Sequence, residues 1–441
     1  MKTTTIFIIA DAMRSDYINK IDTPLLSEMS EKGIFCPDLK SSPGFTQRTA
    51  IFGGAHPKNS GNFAMYTFDS GNSPFKGHGG KFLKLKYNLM NYLYKKDEAQ
   101  IFSKKSLNYL FSLMIKLIER FLIIPTKNKL NKYAKGKAVH APLGNIPLHL
   151  LDRYGVSEDQ KPLWEKDGMP VETIFDVLIN ESKSYSYLCY PVVDGDDNST
   201  IEAVKNDLAE HKDVYFFQFS RSDTDPHIHG TESLKRHKVM GEIDRQLRDV
   251  KETAEAVYDN VNWVIVGDHG MTDVKNYIDL EFLIKKISIE LNAKAGKDFD
   301  YWLDSTMFRM NIMSEKGNSL WNSIIKNDDI MNYFYLWDDK FDIKYNVVRS
   351  KKYGELVLWA KPGSMIYPDF FHKPGEKYKA MHGYEISYPS ALGCAIVFNS
   401  KKYQKKIVND RNLIDVCPTL CDVIGINYPS KNEGKSLISQ V

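Results

Sequence analysis

The sequence lacks the marks of several protein classes. Its five cysteines are odd in number and form no CxxC pair, which argues against a disulfide framework. No uninterrupted apolar window of about 18 residues occurs, so we expect no membrane-spanning helix. The amino-terminal apolar run is short, and no small-residue cleavage site follows it, so a signal peptide is not expected. These absences predict a cytoplasmic protein with buried or unreactive thiols.

Length and composition are typical of a globular protein. A chain of 441 residues can form one large core with insertions, or several ordinary domains. Hydrophobic residues make up 42% and charged residues 26%, which excludes disordered, collagen-like and coiled-coil classes. The net charge is only +3, but it is uneven, because residues 76–137 contain 15 Lys and Arg against three acids.

An amphipathic helix is predicted inside this basic segment, over residues 106–124. Its apolar residues follow helical spacing: Leu110, Leu113, Leu117, Phe121 and Ile124. The lysine-rich flanks would allow residues 76–137 to dock on an anionic membrane surface or another polyanion such as nucleic acid. The alternative is a cap helix that packs on the core and leaves its lysines in solvent.

Continuous apolar runs predict strands that are buried on both faces, as in a parallel sheet covered by helices. The runs are "TIFIIAD" (5–11), "VYFFQFSRSD" (214–223), "NWVIVGDHG" (262–270) and "GCAIVFN" (393–399). Helical patterns lie between them, at 24–32 with Thr23 as N-cap and at 233–259. The predicted fold is therefore α/β and doubly wound, with a mostly parallel central sheet and helices on both faces.

The rhythm of strands and helices also suggests a division of the chain. Residues 1–75, 171–290 and 371–441 are expected to form the α/β core. Residues 76–170 and 291–370 interrupt the pattern, and we interpret them as a basic cap insertion and a smaller second insertion.

Candidate metal ligands follow several of the predicted strands. Ligands bind at the carboxyl ends of parallel strands, and the aspartates and histidines near such positions are Asp11, Asp223, His227, Asp268, His269 and His382. Mixed Asp and His ligation suits zinc or another divalent transition ion better than calcium or magnesium. Each residue also has a structural interpretation, such as a helix cap for Asp11 and a turn cap for Asp268.

Four motifs in this order resemble those of the alkaline phosphatase superfamily: "DAMRSDYI", "SDTDPHIHG", "GDHGM" and "MHGYE". The best match is its type I phosphodiesterase/nucleotide pyrophosphatase branch. The carboxyl-terminal stretch 412–437 is also similar to the superfamily's usual ending. The resemblance covers residues 1–75 and about 170–437, only loosely over 291–370, and does not include the basic segment.

The resemblance implies two divalent ions, zinc first and Mn²⁺ as the alternative. One would be bound by Asp223, His227 and His382. The other would be bound by Asp11, Asp268 and His269 together with the oxygen of the nucleophile. Two ions of this kind can bind both sides of an in-line displacement at phosphorus. The neighbouring Asp225 is instead expected to cap the turn into Pro226, and His229 to line the site or the surface.

The nucleophile is expected within residues 41–62. In the family a Thr or Ser opens a helix shortly before a Gly-x-x-Pro turn, and an ungapped match places this position on Gly44. A shift of two residues reaches Thr46, which we prefer because it follows a helix break, with Ser42 and Thr49 as reserves. No cysteine occurs in 41–62, which disfavours sulfatase chemistry through a modified cysteine.

Arg48 lies two residues beyond Thr46 and is predicted to bind a phosphate oxygen of the substrate, although a surface ion pair is the alternative. The expected reaction is hydrolysis of phosphodiester or pyrophosphate bonds through a phospho-enzyme intermediate. Phosphotransfer, phosphomonoester hydrolysis and phosphonate hydrolysis could use the same site. A hypothesis of another class makes the chain a membrane or nucleic-acid binding module with a degenerate metal core.

Overall fold

The computed structural model describes residues 2–44, 47–71, 73, 150–156, 161–190, 192–193, 196–372 and 377–438. The basic segment 76–137, with its predicted helix 106–124, lies outside these residues, as does Thr46. The predictions for them therefore stay predictions.

Strands and helices are interspersed along the described residues. In chain order the strands are β1 (Thr3–Ala10), β2 (Ile34–Lys40), β3 (Tyr66–Phe68), β4 (Tyr154–Val156), β5 (Tyr185–Leu188), β6 (Val214–Phe219), β7 (Asn260–Gly267), β8 (Thr272–Asp273), β9 (Asn276–Ile278), β10 (Phe299–Leu303), β11 (Met307–Ile312), β12 (Phe334–Leu336), β13 (Leu356–Ala360), β14 (Ser364–Ile366), β15 (Ala380–Met381), β16 (Gly393–Phe398), β17 (Lys406–Ile407) and β18 (Arg411–Asn412). The α-helices are α1 (Pro24–Lys32), α2 (Gln47–Gly53), α3 (Pro57–Ser60), α4 (Ile174–Asn180), α5 (Asp197–Asp207), α6 (Arg221–His229), α7 (Leu234–Val257), α8 (Leu280–Glu290), α9 (Glu315–Ile325), α10 (Asp328–Met331), α11 (Asp339–Tyr345) and α12 (Val416–Ile424).

The main sheet has the strand order β17-β2-β16-β7-β1-β6-β5, with β18 beside β2. Strand β1 is parallel to both of its neighbours, and β5 is parallel to β6. Alternate residues of β1 belong to two different hydrophobic clusters, with Phe7 and Ile9 in one and Ile6 and Ile8 in the other. Both faces of the sheet are therefore buried, which confirms the predicted α/β fold with a mostly parallel sheet.

Strand β16 departs from the parallel pattern. It corresponds to the predicted run "GCAIVFN", and all six of its residues are buried, yet it pairs antiparallel with both β7 and β2. A continuous apolar run reports burial on both faces and contains no information about strand direction. The sequence therefore placed this strand correctly without revealing its orientation.

Helix α1 has the predicted bounds but a different cap. Pro24 is its first residue and Gly33 follows its end, but the hydroxyl of Thr23 accepts no bond from the helix. The backbone N–H groups of Leu25 and Leu26 donate instead to the carboxylate of Asp244, at 3.1 and 2.9 Å. A carboxylate favours the positive end of a helix, wherever it lies in the sequence.

A second sheet lies apart from the first, with the order β10-β11-β13-β12 and antiparallel pairing throughout. Its strands fall within residues 291–370 and surround a separate hydrophobic cluster that includes Trp302, Phe308 and Trp321. One strand of this range, β14, pairs with β9 of the predicted core, so the two parts share a small sheet. The division of the chain into a core and insertions stays a prediction.

The structure also bears on the expected absence of membrane-spanning helices and on the state of the cysteines. None of the described helices combines the length and the apolar character that crossing a bilayer requires. The cysteines are all buried and none is in a disulfide.

Candidate metal centre

The candidate ligands lie at one edge of the main sheet. Asp11 directly follows β1, Asp223 lies in the first turn of α6 after β6, and Asp268 directly follows β7. These three strands are adjacent, in the order β7-β1-β6. Their carboxyl ends therefore bring residues from distant parts of the chain together, as parallel pairing requires.

The first ligand group consists of Asp11, Asp268 and His269, whose ligand atoms lie within 4.8 Å of one another. His269 Nε2 lies 3.2 Å from Asp11 Oδ1 and 3.8 Å from Asp268 Oδ2. The ring donates its Nδ1–H to the carbonyl oxygen of Gly270 at 3.0 Å. This bond leaves Nε2 as the atom that faces the carboxylates, which is the usual arrangement of a metal-binding histidine.

The second ligand group consists of Asp223, His227 and His382, again within 4.8 Å. Asp223 Oδ1 lies 3.2 Å from His227 Nε2 and 3.6 Å from His382 Nε2. This oxygen is buried and accepts no hydrogen bond from any residue that the structure describes. A buried carboxylate oxygen without a hydrogen bond is costly unless a cation compensates it, so this donor set fits a metal ion.

Backbone contacts fix the histidines of the second group. His227 donates its Nδ1–H to the carbonyl oxygen of Ala380 at 2.7 Å, and the backbone N–H of Lys379 donates to the carbonyl of His227 at 2.7 Å. These bonds attach α6 to the short strand β15, which immediately precedes His382. These hydrogen bonds explain how His382, some 155 positions after His227, reaches the candidate ligands of α6.

The two groups lie side by side. The rings of His269 and His382, one from each group, stack with centroids 4.0 Å apart and planes inclined by 23°. The rings of His227 and His382 have centroids 5.2 Å apart. Together the groups form one continuous surface of carboxylate and imidazole atoms, which is the arrangement that a two-metal site requires.

Burial and neighbouring charges together shift the pKa values of the candidate ligand side chains. Burial raises the pKa of Asp268 to about 7, although His269 opposes the effect. Burial by itself would lower the pKa of His269, but Asp268 and Asp11 outweigh it and raise that pKa to about 10. Burial lowers the pKa of His382 well below its ordinary value, and the neighbouring charge of His269 adds to this. Such displaced values are common at functional sites.

In the second ligand group the ionised form of Asp223 is favoured. Burial would raise the pKa of Asp223, but His227, His382 and His269 together hold it well below its usual range. Burial would lower the pKa of His227, and Asp223 reverses that and raises it.

The predicted turn around Pro226 is wrong, since residues Arg221–His229 form helix α6 with Pro226 inside it. The carboxylate of Asp225 does not cap a turn and lies 3.4 Å from Nε of Arg221 on the same helix. His229 is half exposed, lies 4.0 Å from Asp225, and belongs to neither ligand group. The helix places Asp223 and His227 one turn apart on the same face.

The region of the predicted nucleophile is described only in part. Thr46 lies outside the described residues, so its role stays a prediction. Gly44 has a φ of +78°, and a Cβ added there would meet the carbonyl oxygen of Phe63 at 1.8 Å. Position 44 therefore requires glycine. Of the reserves, Ser42 is buried, and Thr49 is buried and accepts a hydrogen bond from Nδ2 of Asn62 at 3.2 Å.

Arg48 lies in the first turn of α2 and points toward the carboxyl ends of β5 and β6. Its Nη1 donates to the hydroxyl of Tyr187 at 3.3 Å, and its Nη2 donates to Oε1 of Gln218 at 3.5 Å. Gln218 in turn donates from Nε2 to Asp11 Oδ2 at 2.7 Å. The guanidinium is thus connected to the first ligand group through one side chain, and its predicted role in binding phosphate stays a prediction.

Sequence reasoning missed the residues that surround the ligands. Gln218 is one of them, and the sequence feature that could have indicated it is an amide inside the apolar run "VYFFQF". His372 is another: its Nδ1 lies 2.7 Å from Asp369 Oδ2, and its ring centroid lies 6.3 Å from that of His227. The spacing of Asp369 and His372, three residues apart in "PDFFHK", was the available signal.

The fold and the site together define the class of protein. An α/β sheet with two Asp and His groups, adjacent at its carboxyl edge, is typical of metal-dependent hydrolases of phosphate esters.

Comparisons with known proteins identify the family within this class. The family model described as type I phosphodiesterase/nucleotide pyrophosphatase matches residues 139–385, more than half of the chain. The chain therefore belongs to the type I phosphodiesterase/nucleotide pyrophosphatase family, which confirms the resemblance seen in its motifs. The members of this family are hydrolytic enzymes that act on phosphodiester and pyrophosphate bonds.

Solved structures show the same fold at low sequence identity. Human ectonucleotide pyrophosphatase/phosphodiesterase 5 is 12% identical, with a TM-score of 0.65 and coverage of 98% of this chain and 97% of its own. An inactive variant of the murine protein in complex with AMP is 11% identical, with a TM-score of 0.64 and coverage of 97% and 96%. No protein in the curated set matches the chain.

Proposed function

We propose that this chain hydrolyses phosphodiester or pyrophosphate bonds with two divalent cations, one in each ligand group, and with Thr46 as nucleophile. The observation that supports the proposal is the direct contact of the two groups, where the rings of His269 and His382 stack at 4.0 Å. Adjacent cation sites suit a reaction in which one phosphorus atom exchanges two oxygen substituents.

When bound, two divalent cations would supply Lewis-acid chemistry, neutralising charge on the phosphoryl oxygens and favouring ionisation of the attacking oxygen. Asp11, Asp268 and His269 would hold one cation, and Asp223, His227 and His382 the other. Imidazole and carboxylate donors together favour Zn²⁺, with Mn²⁺ as the alternative.

In the proposed reaction the Thr46 oxygen forms a bond to phosphorus while the bond from phosphorus to the leaving oxygen breaks. The leaving oxygen departs with the electron pair and takes up a proton. Water then attacks the same phosphorus and displaces the Thr46 oxygen, which takes up a proton from the water. A phosphodiester substrate is thereby released as its phosphate monoester. Thr46 directly precedes α2, and Arg48 in the first turn of that helix would bind a phosphoryl oxygen through charge-assisted hydrogen bonds.

The nucleophile can be identified with three matched variants. We expect Thr46→Ala to abolish turnover, whereas Ser42→Ala and Thr49→Ala retain it. Acid quenching during turnover of a phosphodiester, followed by peptide mass spectrometry, should find the phosphoryl group with its retained substituent on Thr46 in the parent protein and none in Thr46→Ala. The same adduct on residue 42 or 49 would overturn the assignment of Thr46.

The substrate class can be tested with a panel of synthetic esters. We expect kcat/KM to be highest for phosphodiesters or pyrophosphates, including nucleotide substrates, since the murine relative was obtained with AMP. Higher kcat/KM on phosphomonoesters or phosphonates would place the chain with those alternatives, and transfer of phosphate to an added alcohol would make it a phosphotransferase.

The binding-module hypothesis requires a degenerate metal core. The six Asp and His ligands predicted for the two groups all lie among the described residues, and the ligand atoms of each group are within 4.8 Å of one another. This arrangement supports an active site and argues against degeneracy.

A further inference from the structure

Strand β6 contains one strongly polar residue in an otherwise apolar sequence. Five of its six residues are buried, and Gln218 is only partly so. An amide at this position in the central sheet would be costly without hydrogen-bond partners. Its partners therefore indicate why glutamine is present.

The amide of Gln218 joins two groups of opposite charge. Nε2 donates to Asp11 Oδ2 at 2.7 Å, and Oε1 accepts from Arg48 Nη2 at 3.5 Å. The other oxygen of Asp11, Oδ1, lies 3.2 Å from Nε2 of His269. Gln218 therefore binds one oxygen of the Asp11 carboxylate, and the other oxygen lies beside His269 of the first ligand group.

Few side chains could make both contacts. An ionised carboxylate only accepts hydrogen bonds and a guanidinium only donates them, whereas an amide does both from atoms attached to the same carbon. Glutamate at position 218 would place a second negative charge against Asp11, and a cationic residue would repel Arg48. An apolar residue would leave both contacts unmade.

We propose that Gln218 is a positioning residue that couples Arg48 to the first metal group through Asp11. The inference rests on the proposed function in that Asp11 binds a cation and Arg48 binds the phosphoryl group of the substrate. Gln218 then sets the spacing between the cation and the guanidinium, so that one phosphoryl group can contact both.

The Asp11 side of the proposal is tested by metal affinity, which requires no turnover. Gln218→Met removes both hydrogen bonds at similar volume. Competition with a chromophoric chelator should show that one of two Zn²⁺ sites weakens about 10-fold to 100-fold, the range found for residues that orient metal ligands. Gln246→Met is the matched control, because Gln246 of α7 donates to the side chain of Asn198 in α5 and contacts neither ligand group. It should leave both affinities unchanged.

The Arg48 side is tested with inorganic phosphate at saturating Zn²⁺, measured by calorimetry. Gln218→Met should weaken phosphate binding about tenfold, the effect of losing one hydrogen bond to a charged group. In an Arg48→Met background the same substitution should change phosphate affinity by less than about twofold, because Gln218 acts on phosphate through Arg48.

A second variant keeps the test decisive if Gln218→Met fails to fold. Gln218→Glu preserves the acceptor for Arg48 and loses the donor to Asp11. It should weaken Zn²⁺ binding while phosphate affinity at saturating Zn²⁺ stays within about threefold of the parent.

The proposal is overturned if the folded Gln218 variants keep parental affinity for Zn²⁺ and for phosphate. If the parent protein hydrolyses no phosphate ester and Gln218→Met still loses affinity for both Zn²⁺ and phosphate, the positioning role of Gln218 stands and the proposed function fails.

Discussion

At the scale of single residues, His227 and His382 approach the same oxygen of Asp223 from different parts of the chain. Because each would supply one bond to the same cation, we expect His382→Ala and His227→Ala to be equally damaging. Each should lower kcat/KM by more than about 100-fold, since even residues that only orient metal ligands cost 10-fold to 100-fold. Steady-state kinetics on a synthetic phosphodiester and Zn²⁺ content by mass spectrometry measure this effect.

His229→Ala is the control on the same helix, since His229 is half exposed and belongs to neither ligand group. It should keep its activity and its metal content. Loss of activity in His229→Ala equal to that in His227→Ala would contradict the assignment of ligands within "SDTDPHIHG".

The proximity of the candidate ligands could be predicted from the sequence because of where they occur. Asp11, Asp223 and Asp268 each follow an apolar run, and parallel strands bring such positions together. Gln218 could not be assigned a role in this way, because its partners are distant in sequence and a single amide in an apolar run does not indicate them. The contact of Asp244 with α1 was missed for the same reason.

At the scale of elements, the approach to α2 depends on glycine at position 44. Gly44→Ala would place a methyl group 1.8 Å from the carbonyl oxygen of Phe63. We expect it to lower the free energy of unfolding by more than about 3 kcal/mol, because backbone must move. Gly61 is the matched control: its φ is +73° and no atom lies within 4 Å of the added Cβ.

Gly61→Ala should cost only about 1 to 2 kcal/mol, the strain of the left-handed backbone. Urea unfolding of the two variants measures both effects. Equal destabilisation would show that Phe63 does not constrain position 44.

Helix α5 begins with two aspartates of opposite behaviour. Burial raises the pKa of Asp197 to about 6 from an ordinary 3.8. The folded state thus holds the proton more tightly than the unfolded chain, so this carboxyl's contribution to stability is complete below about pH 4 and is lost as the pH rises through about 6. Asp197→Asn should therefore gain up to about 3 kcal/mol relative to the parent between pH 4 and pH 8, at about 1.4 kcal/mol per pKa unit.

Asp196 is the adjacent control. The backbone N–H of Ser199 lowers the pKa of its carboxyl, so its stabilisation is present above its ordinary pKa and lost as the pH falls through the lowered value. Because this stabilisation is already nearly complete above the ordinary pKa of 3.8, the stability of Asp196→Asn relative to the parent should stay nearly constant between pH 4 and pH 8. Thermal unfolding of both variants at pH 4 and pH 8 tests the pair, and the same pH trend in both would contradict this account.

Helices and strands were predicted most reliably where the hydrophobic pattern follows directly from the burial of one face of the element. The long amphipathic pattern of 233–259 became α7 (Leu234–Val257), whose Ser233 cap accepts from the N–H of Arg236. The direction of β16 and the helix that contains Pro226 were missed, because burial does not report strand direction and proline is usually a helix breaker.

At the scale of the whole molecule, the concentration of positive charge in residues 76–137 predicts peripheral binding to anionic surfaces. We expect the protein to sediment with vesicles containing phosphatidylserine at low salt and to be released as the salt concentration rises, because screening weakens such contacts. Neutral phosphatidylcholine vesicles are the control. No sedimentation with anionic vesicles at low salt would remove this prediction, and single-stranded nucleic acid in the same assay tests the other polyanion.

The predicted cytoplasmic location stays a prediction. The similar solved structures are named as ectoenzymes, at 11 to 12% identity.

The central claim is that two divalent cations in adjacent groups carry out phosphate-ester hydrolysis. Its most direct test is the hydrolysis of a synthetic phosphodiester by chelator-treated protein as Zn²⁺ is added back. We expect activity to disappear on chelation and to return fully at two equivalents of Zn²⁺ per chain. Activity that survives complete removal of bound metal, or that returns fully at one equivalent, would contradict the account.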